Sequence, residues 1–176
     1  MTIEADLFRS IFARLPAGVA VVAALGSDGI PRGLTSTAVC PVSANPPMLL
    51  ACVDKNSRTL SAIMQSRGFT VNFLAAESRE LSRHFAGLGP DKFEGVPWMP
   101  SRLANGAPIL AEGVVSHVEC VVANAIEVGD HWIILGTICH GAVRDTVPLL
   151  YCWREYVPMP ADRKVPSGTI PIAREQ

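Results

Sequence analysis

The sequence predicts a mainly β fold, a β-barrel with short helices at its periphery. Many runs rich in Val, Ile and Thr are bounded by Gly, Pro, Asn and Asp, the pattern of short strands and turns. Only a few short segments carry helical periodicity, and they do not alternate with the strands as βαβ units would, which excludes a doubly wound sheet. The chain has 176 residues, enough for one sizeable core.

In "LFRSIFARL" the residues Leu7, Phe8, Ile11, Phe12 and Leu15 recur at helical spacing, so an amphipathic helix is expected, ended by Pro16. "GVAVVAALG" follows as a Val-rich strand, and "SDGIPRG" carries turn chemistry leading into a strand over "RGLTSTAVC", Arg32 to Cys40. Strand alternation there sends Thr35 and Thr37 to one face and Ser36 to the other. "PPMLLACV", Pro46 to Val53, is expected as a strand buried on both faces. Ser57 can cap the next helix, whose inner face is Leu60, Ile63, Met64 and the stem of Arg67. "FTVNFLA" reads as a strand, and "ESRELSRHFA" as a short helix with Leu81 and Phe85 inward.

"GLGPDKFEGVPWMPS" is a loop, long enough to favour a functional role over mere linkage. Two long strands, "EGVVSHVECVVANAIEVG" and "HWIILGTICHGAV", are joined as a hairpin across "GDH", and "PLLYCWREYV" is expected to close the sheet. The domain is thus placed at 1–157. Residues 158–176 are proline-rich and poor in apolar residues, and are expected as an arm or disordered tail.

Charge and cysteine content narrow the function. A net charge of -1 offers no broad attraction for nucleic acid or an anionic membrane. The five cysteines are odd in number, widely spaced and without a C-x-x-C pair. They therefore read as reduced thiols in a cytoplasmic protein, with neither a disulfide framework nor a metal site. "MTIEADLFRSIFARL" lacks the apolar segment of a secretory signal, and no stretch approaches membrane-spanning length.

The ordered set "LPAGVAVVAA", "GLTSTAVCPVSANPPMLLACVDKNSRTL", "FTVNFLA", "LSRHFAG", "DKFEGVPW", "GDHWIILGTI" and "PLLYCWREY" resembles the flavin reductase-like family of FMN-binding split barrels. The likeness covers about residues 7 to 156. It implies a homodimer of Greek-key split barrels with FMN or FAD at the subunit interface. The implied activity is hydride transfer from NADH, or NADPH, to flavin that is passed to a separate monooxygenase component. The alternative is a flavin-binding or electron-transfer module without nicotinamide turnover.

By the same resemblance Gly33, Thr35, Ser36, Thr37 and Ala38 would run beside the flavin, with backbone N–H groups near Thr37 and Ala38 stabilising the anionic reduced ring. The segment Asp54, Lys55, Asn56, Ser57, Arg58 and Thr59 would hold the phosphate, since it combines a helix N-terminus, hydroxyls and cations. Ser82, Arg83 and His84 would contact the phosphate or adenylate end, and Tyr156 would lie near the cofactor. His131 of "GDH" would position the nicotinamide and is the candidate catalytic residue. The family's usual Gly before the last aromatic is replaced here, where Arg154 and Glu155 stand. Hydride transfer calls for no protein nucleophile and no metal, because the cofactor carries the chemistry.

Overall fold

A computed structural model of the protein describes residues 2–89 and 91–159. The elements run α1 (Ala5–Phe12), β1 (Ala17–Gly18), β2 (Ala20–Leu25), β3 (Pro31–Ser36), β4 (Val39–Ala44), β5 (Pro47–Asp54), α2 (Arg58–Ser66), β6 (Gly68–Leu74) and α3 (Arg79–Ala86). They continue through β7 (Trp98–Pro100), β8 (Pro108–Leu110), β9 (Val114–Val128), β10 (His131–Val143), β11 (Leu150–Cys152) and β12 (Glu155–Val157). The fold is mainly β with short helices outside it, as the sequence predicts. Seven strands form one antiparallel sheet in the order β3-β2-β6-β9-β10-β5-β4.

The expected single strand over Arg32 to Cys40 is in fact two strands. β3 ends at Ser36 and β4 begins at Val39, at opposite edges of that sheet. Three Cα steps span at most ~11 Å. Seven strands laid flat would hold their edges about 29 Å apart, at roughly 4.8 Å per spacing. The sheet must therefore curl until its edges meet, with Thr37 and Ala38 as the bridge. Among the described residues no ladder joins β3 to β4, so the barrel keeps an open seam beside this bridge.

β2 divides the interior. Its Ala20, Val22 and Ala24 join the core inside the curl, with Leu49, Ala51 and Val53 of β5, Phe69 and Val71 of β6, Ile134 of β10, and Leu60 and Ile63 of α2. Val21 and Ala23 face a second core with Leu74, Phe85, Phe93, Leu110 and Leu149. β5 was expected to be buried on both faces, but Leu49, Ala51 and Val53 are buried while Met48, Leu50 and Cys52 are only partly covered. Its second face lies along the seam and the recess described below.

α2 is capped as its sequence indicates: the Ser57 hydroxyl accepts from the Thr59 backbone N–H at 3.1 Å. Arg67 does not extend the inner face. It closes the helix at a φ of 60° and donates to the Val122 carbonyl at 3.1 Å. α3 buries Phe85 and Ser82, with Leu81 only partly covered. The last turn of the long loop is ordered as β7, which pairs with β8. β11 and β12 do not close the main sheet: with β1 they form a separate three-stranded sheet. α1 buries no residue against the rest of the chain, leaving Leu7, Phe8, Ile11 and Phe12 about half exposed. The expected tail lies, from residue 160 onward, outside the described residues. No helix among the described residues is long and apolar enough to cross a membrane.

Candidate functional site

The seam opens into a recess of about 680 Å³. Its walls come from β3 and the Thr37–Ala38 bridge, from Cys52 and Asp54 of β5, from Asn56 to Thr59 at the start of α2, from the end of α3 with Gly87 and Leu88, and from Lys92 and His131. Residues 20 to 100 apart in sequence thus share one cavity because the curl of the sheet brings its two edges and the β9–β10 turn to one end.

The hydroxyls of Thr35 and Ser36 in β3 and of Thr37 in the bridge part company. Thr35 Oγ1 donates to the Ser82 carbonyl at 2.6 Å, tying β3 to α3, while Ser36 is buried and its Oγ accepts from Ala38 N–H at 3.0 Å. The Ala38 N–H is thereby engaged within the bridge itself, and Thr37 alone of the three is exposed. At Gly33 a Cβ would lie 2.8 Å from Phe85 Cε1 and 3.1 Å from Phe93 Cε2, so two phenyl rings pack directly on this backbone. Glycine there is required by the second core as well as by the recess.

At the α2 end, Asp54 Oδ1 accepts from Asn56 N–H at 2.7 Å and Ser57 caps the helix, which fixes the first turn beside the recess. Arg58 donates to the Gly89 carbonyl at 2.7 Å. Lys92 donates to the carbonyls of Phe85 at 2.7 Å and Gly33 at 3.3 Å. Partial burial lowers the Lys92 pKa, and the neighbouring Arg58 guanidinium lowers it further. Among the described residues neither cation has a carboxylate partner.

His131, the first residue of β10, pairs across the sheet with Asp54 of β5 and so lines the recess near the start of α2. Its Nδ1 lies 2.7 Å from Asp130 Oδ1, and this hydrogen bond is the main reason the Asp130 pKa falls below its ordinary value. Gly129, at a φ of 62°, makes the two-residue turn that lets "GDH" project there.

The sequence-predicted residues Gly33, Thr35, Ser36, Thr37, Ala38, Asp54, Asn56, Ser57, Arg58, Thr59 and His131 are brought together in this recess. Lys55, Ser82, Arg83, His84 and Tyr156 do not line it. Lys55 Nζ turns to the Gly129 carbonyl at 3.4 Å, and His84 Nε2 to the Lys92 carbonyl at 2.8 Å. Ser82 is buried and accepts from the Tyr156 hydroxyl at 2.8 Å. Sequence reasoning gave no role to Lys92, although "DKFEG" was among the resembling segments; a single lysine in a Gly- and Pro-rich loop has no periodicity to announce it.

A family model described as flavin reductase like domain matches residues 12–160. A flavin reductase (NADH) of Kitasatospora aureofaciens is 40% identical over 175 residues, covering 98% of this chain and 91% of that protein. The reductase subunit of a flavin-dependent monooxygenase of Rhodococcus jostii is 33% identical over 166 residues, covering 94% and 83%. Among solved structures, the NADH:FAD oxidoreductase of Streptomyces globisporus in complex with NAD and FAD fragments superposes with a TM-score of 0.83 at 30% identity, covering 92% of this chain and 98% of that one.

Proposed function

The chain belongs to the flavin reductase like domain family, and from that premise we propose that the seam recess is where it reduces flavin with a nicotinamide donor. The carrying observation is the gathering in one recess of Arg58 and Lys92, free of carboxylate partners among the described residues, the capped start of α2, and His131, which pairs with Asp54 on the neighbouring strand. Two cations, hydroxyls and backbone N–H groups are the donor set a flavin phosphate requires, so the residues present fit the group.

Flavin, when bound, supplies the redox chemistry by accepting a hydride from the reduced nicotinamide. Arg58, Lys92, Ser57, Thr59 and the first turn of α2 hold the phosphate end, with Asp54 and Asn56 shaping that turn. Thr37 and the backbone of the bridge face the ribityl chain and ring edge. Phe85, fully buried, backs the recess wall at Gly33. His131, its ring fixed through Nδ1 by Asp130, presents Nε2 to the donor and so orients it; hydride transfer itself needs no general base.

The protein acts as a homodimer in this reading, with the uncovered apolar face of α1 buried between subunits. Reduced flavin then passes to a separate oxygenase component, the arrangement named in the Rhodococcus relative. Anaerobic stopped-flow mixing of the protein with FMN or FAD and NADH or NADPH tests the activity. Rapid loss of oxidised-flavin absorbance with at least one pair is expected. Flavin binding without reduction by either donor would instead mark a flavin-binding module.

A further inference from the structure

The seam recess holds a third cation beside Arg58 and Lys92. Arg32, in β3, lines it next to Gly33, with its side chain only 18% exposed.

The turn between β2 and β3 builds a brace for this side chain. Both carboxylate oxygens of Asp28 are engaged there: Oδ1 accepts from the Ile30 backbone N–H at 3.0 Å, and Oδ2 accepts from Arg32 Nη2 at 2.8 Å. A Cβ at Gly26 would lie 2.5 Å from Asp28 Oδ1, so the turn is closed tightly around that carboxylate. Arg32 is thereby held at one nitrogen. A guanidinium carries five N–H donors, and among the described residues Arg32 donates to Asp28 alone. The other donors are left for an occupant of the recess.

Position decides which part of an occupant they meet. Arg32 and Ser36 are four residues apart in β3, about 13 Å of strand at roughly 3.3 Å per residue. Arg32 therefore stands well away from the Thr37–Ala38 bridge. Lys92 Nζ reaches the carbonyl of the adjacent Gly33 at 3.3 Å and lies close enough to Arg58 to feel its charge. Arg32 continues this row of cations on the side away from the bridge.

A flavin mononucleotide ends in one phosphate that carries about -1.5 to -2 near neutral pH, a charge Arg58 and Lys92 match between them. In a dinucleotide a second phosphate follows and carries the molecule further. Arg32 suits that group. Asp28 already balances its charge, so it adds fixed N–H donors, in the planar fork that phosphate oxygens accept, without another unmatched charge.

On the basis of the reductase reading, we propose that Arg32, braced by Asp28, is a specificity-determining residue that binds the second phosphate of FAD and makes FAD the preferred flavin over FMN. Calorimetric titration of the full chain with FAD and with FMN, in the absence of nicotinamide, tests it. The wild type should bind FAD more tightly. Arg32→Ala should weaken FAD binding about tenfold and change FMN binding by less than about twofold, which removes the preference. Arg32→Lys should remove it as well, because a single ammonium keeps the ion pair with Asp28 but offers no second edge. Thermal unfolding of that variant should match the wild type.

A role in the β2–β3 turn alone would lower the melting temperature of Arg32→Ala and leave the ratio of FAD to FMN affinity unchanged in both variants; an unchanged ratio overturns the proposal. An unchanged ratio with a raised KM for NADH, whichever flavin is supplied, overturns it too and sets Arg32 on the diphosphate of the donor. If the wild type binds neither flavin, the reductase reading falls and the proposal falls with it. If both flavins bind and respond alike to Arg32→Ala, the proposal falls alone.

Discussion

At the residue scale the seam recess makes separable demands. The proposed reading sets Arg58 at the phosphate end, and losing a charge-assisted hydrogen bond to a bound anion costs roughly 1.5 to 3 kcal/mol. Arg58→Ala should therefore weaken flavin binding about tenfold or more, read by calorimetric titration. In the proposed reading His131 meets the nicotinamide donor, so His131→Ala should keep flavin affinity and lose reduction rate by about a hundredfold, the cost of a donor displaced by about 1 Å. Measuring both quantities on one variant decides it: loss of flavin affinity would move His131 into the flavin site. Arg154, at a φ of 63° in the turn between β11 and β12, makes a third case. Replacing it with glycine relieves a left-handed strain of about 1–2 kcal/mol but adds unfolded-chain entropy of roughly 0.5–1 kcal/mol. Arg154→Gly should thus raise the melting temperature by about 2 °C, as thermal unfolding would show.

At the scale of elements, what could be read in advance was what local chemistry decides. α2 announced itself through the Ser57 cap and the apolar spacing of Leu60 and Ile63, and the β9–β10 hairpin through Gly129 and Asp130. The break between β3 and β4 was not legible: Ser36, Thr37, Ala38 and Val39 contain no glycine, proline, asparagine or aspartate, and the chain leaves one sheet edge for the other because the barrel curls. The hairpin of β11 and β12 was missed as a separate unit for a similar reason, since Trp153 and Arg154 occupy turn positions where glycine or asparagine would have signalled it. Lys92 became visible as a recess residue only once Gly33 and Phe85 were neighbours in space.

Two predictions belong to β9 and β10. A Cβ at Gly136 would sit 2.5 Å from Phe69 Cζ and 2.9 Å from Cys120 Cβ, beside the irregularity between Leu135 and Gly136. Gly136→Ala should destabilise the fold by about 1–3 kcal/mol, measurable by urea unfolding. His117, in β9 itself, has its pKa lowered from 6.5 by burial, an effect Glu119 opposes and His140 and Arg144 reinforce. The folded state therefore takes up that proton less readily than the unfolded chain. The stability associated with neutral His117 is fully present above about pH 6.5 and is lost as pH falls through the lower folded value. Urea midpoints should fall between pH 7.5 and 5.5, and His117→Gln should flatten that dependence; an equal slope in the variant would assign it to other groups.

At the scale of the whole molecule, α1 carries the proposed assembly. Its Leu7, Phe8, Ile11 and Phe12 stay about half exposed within the chain, and so many large side chains on one short helix are costly to leave in water. Wild-type protein should sediment as a dimer, and Phe8→Asp combined with Ile11→Asp should shift it toward the monomer at micromolar concentration. A dimer of unchanged affinity in that variant would place the interface elsewhere. Within the chain β2 sends alternate residues into both cores. Neither core can lose its packing while β2 keeps its place, because the same backbone is the wall of each. Heat should consequently melt the two together, in one calorimetric transition, and cavities cut into opposite sides of β2 should be felt as one cooperative loss rather than as two independent partial ones.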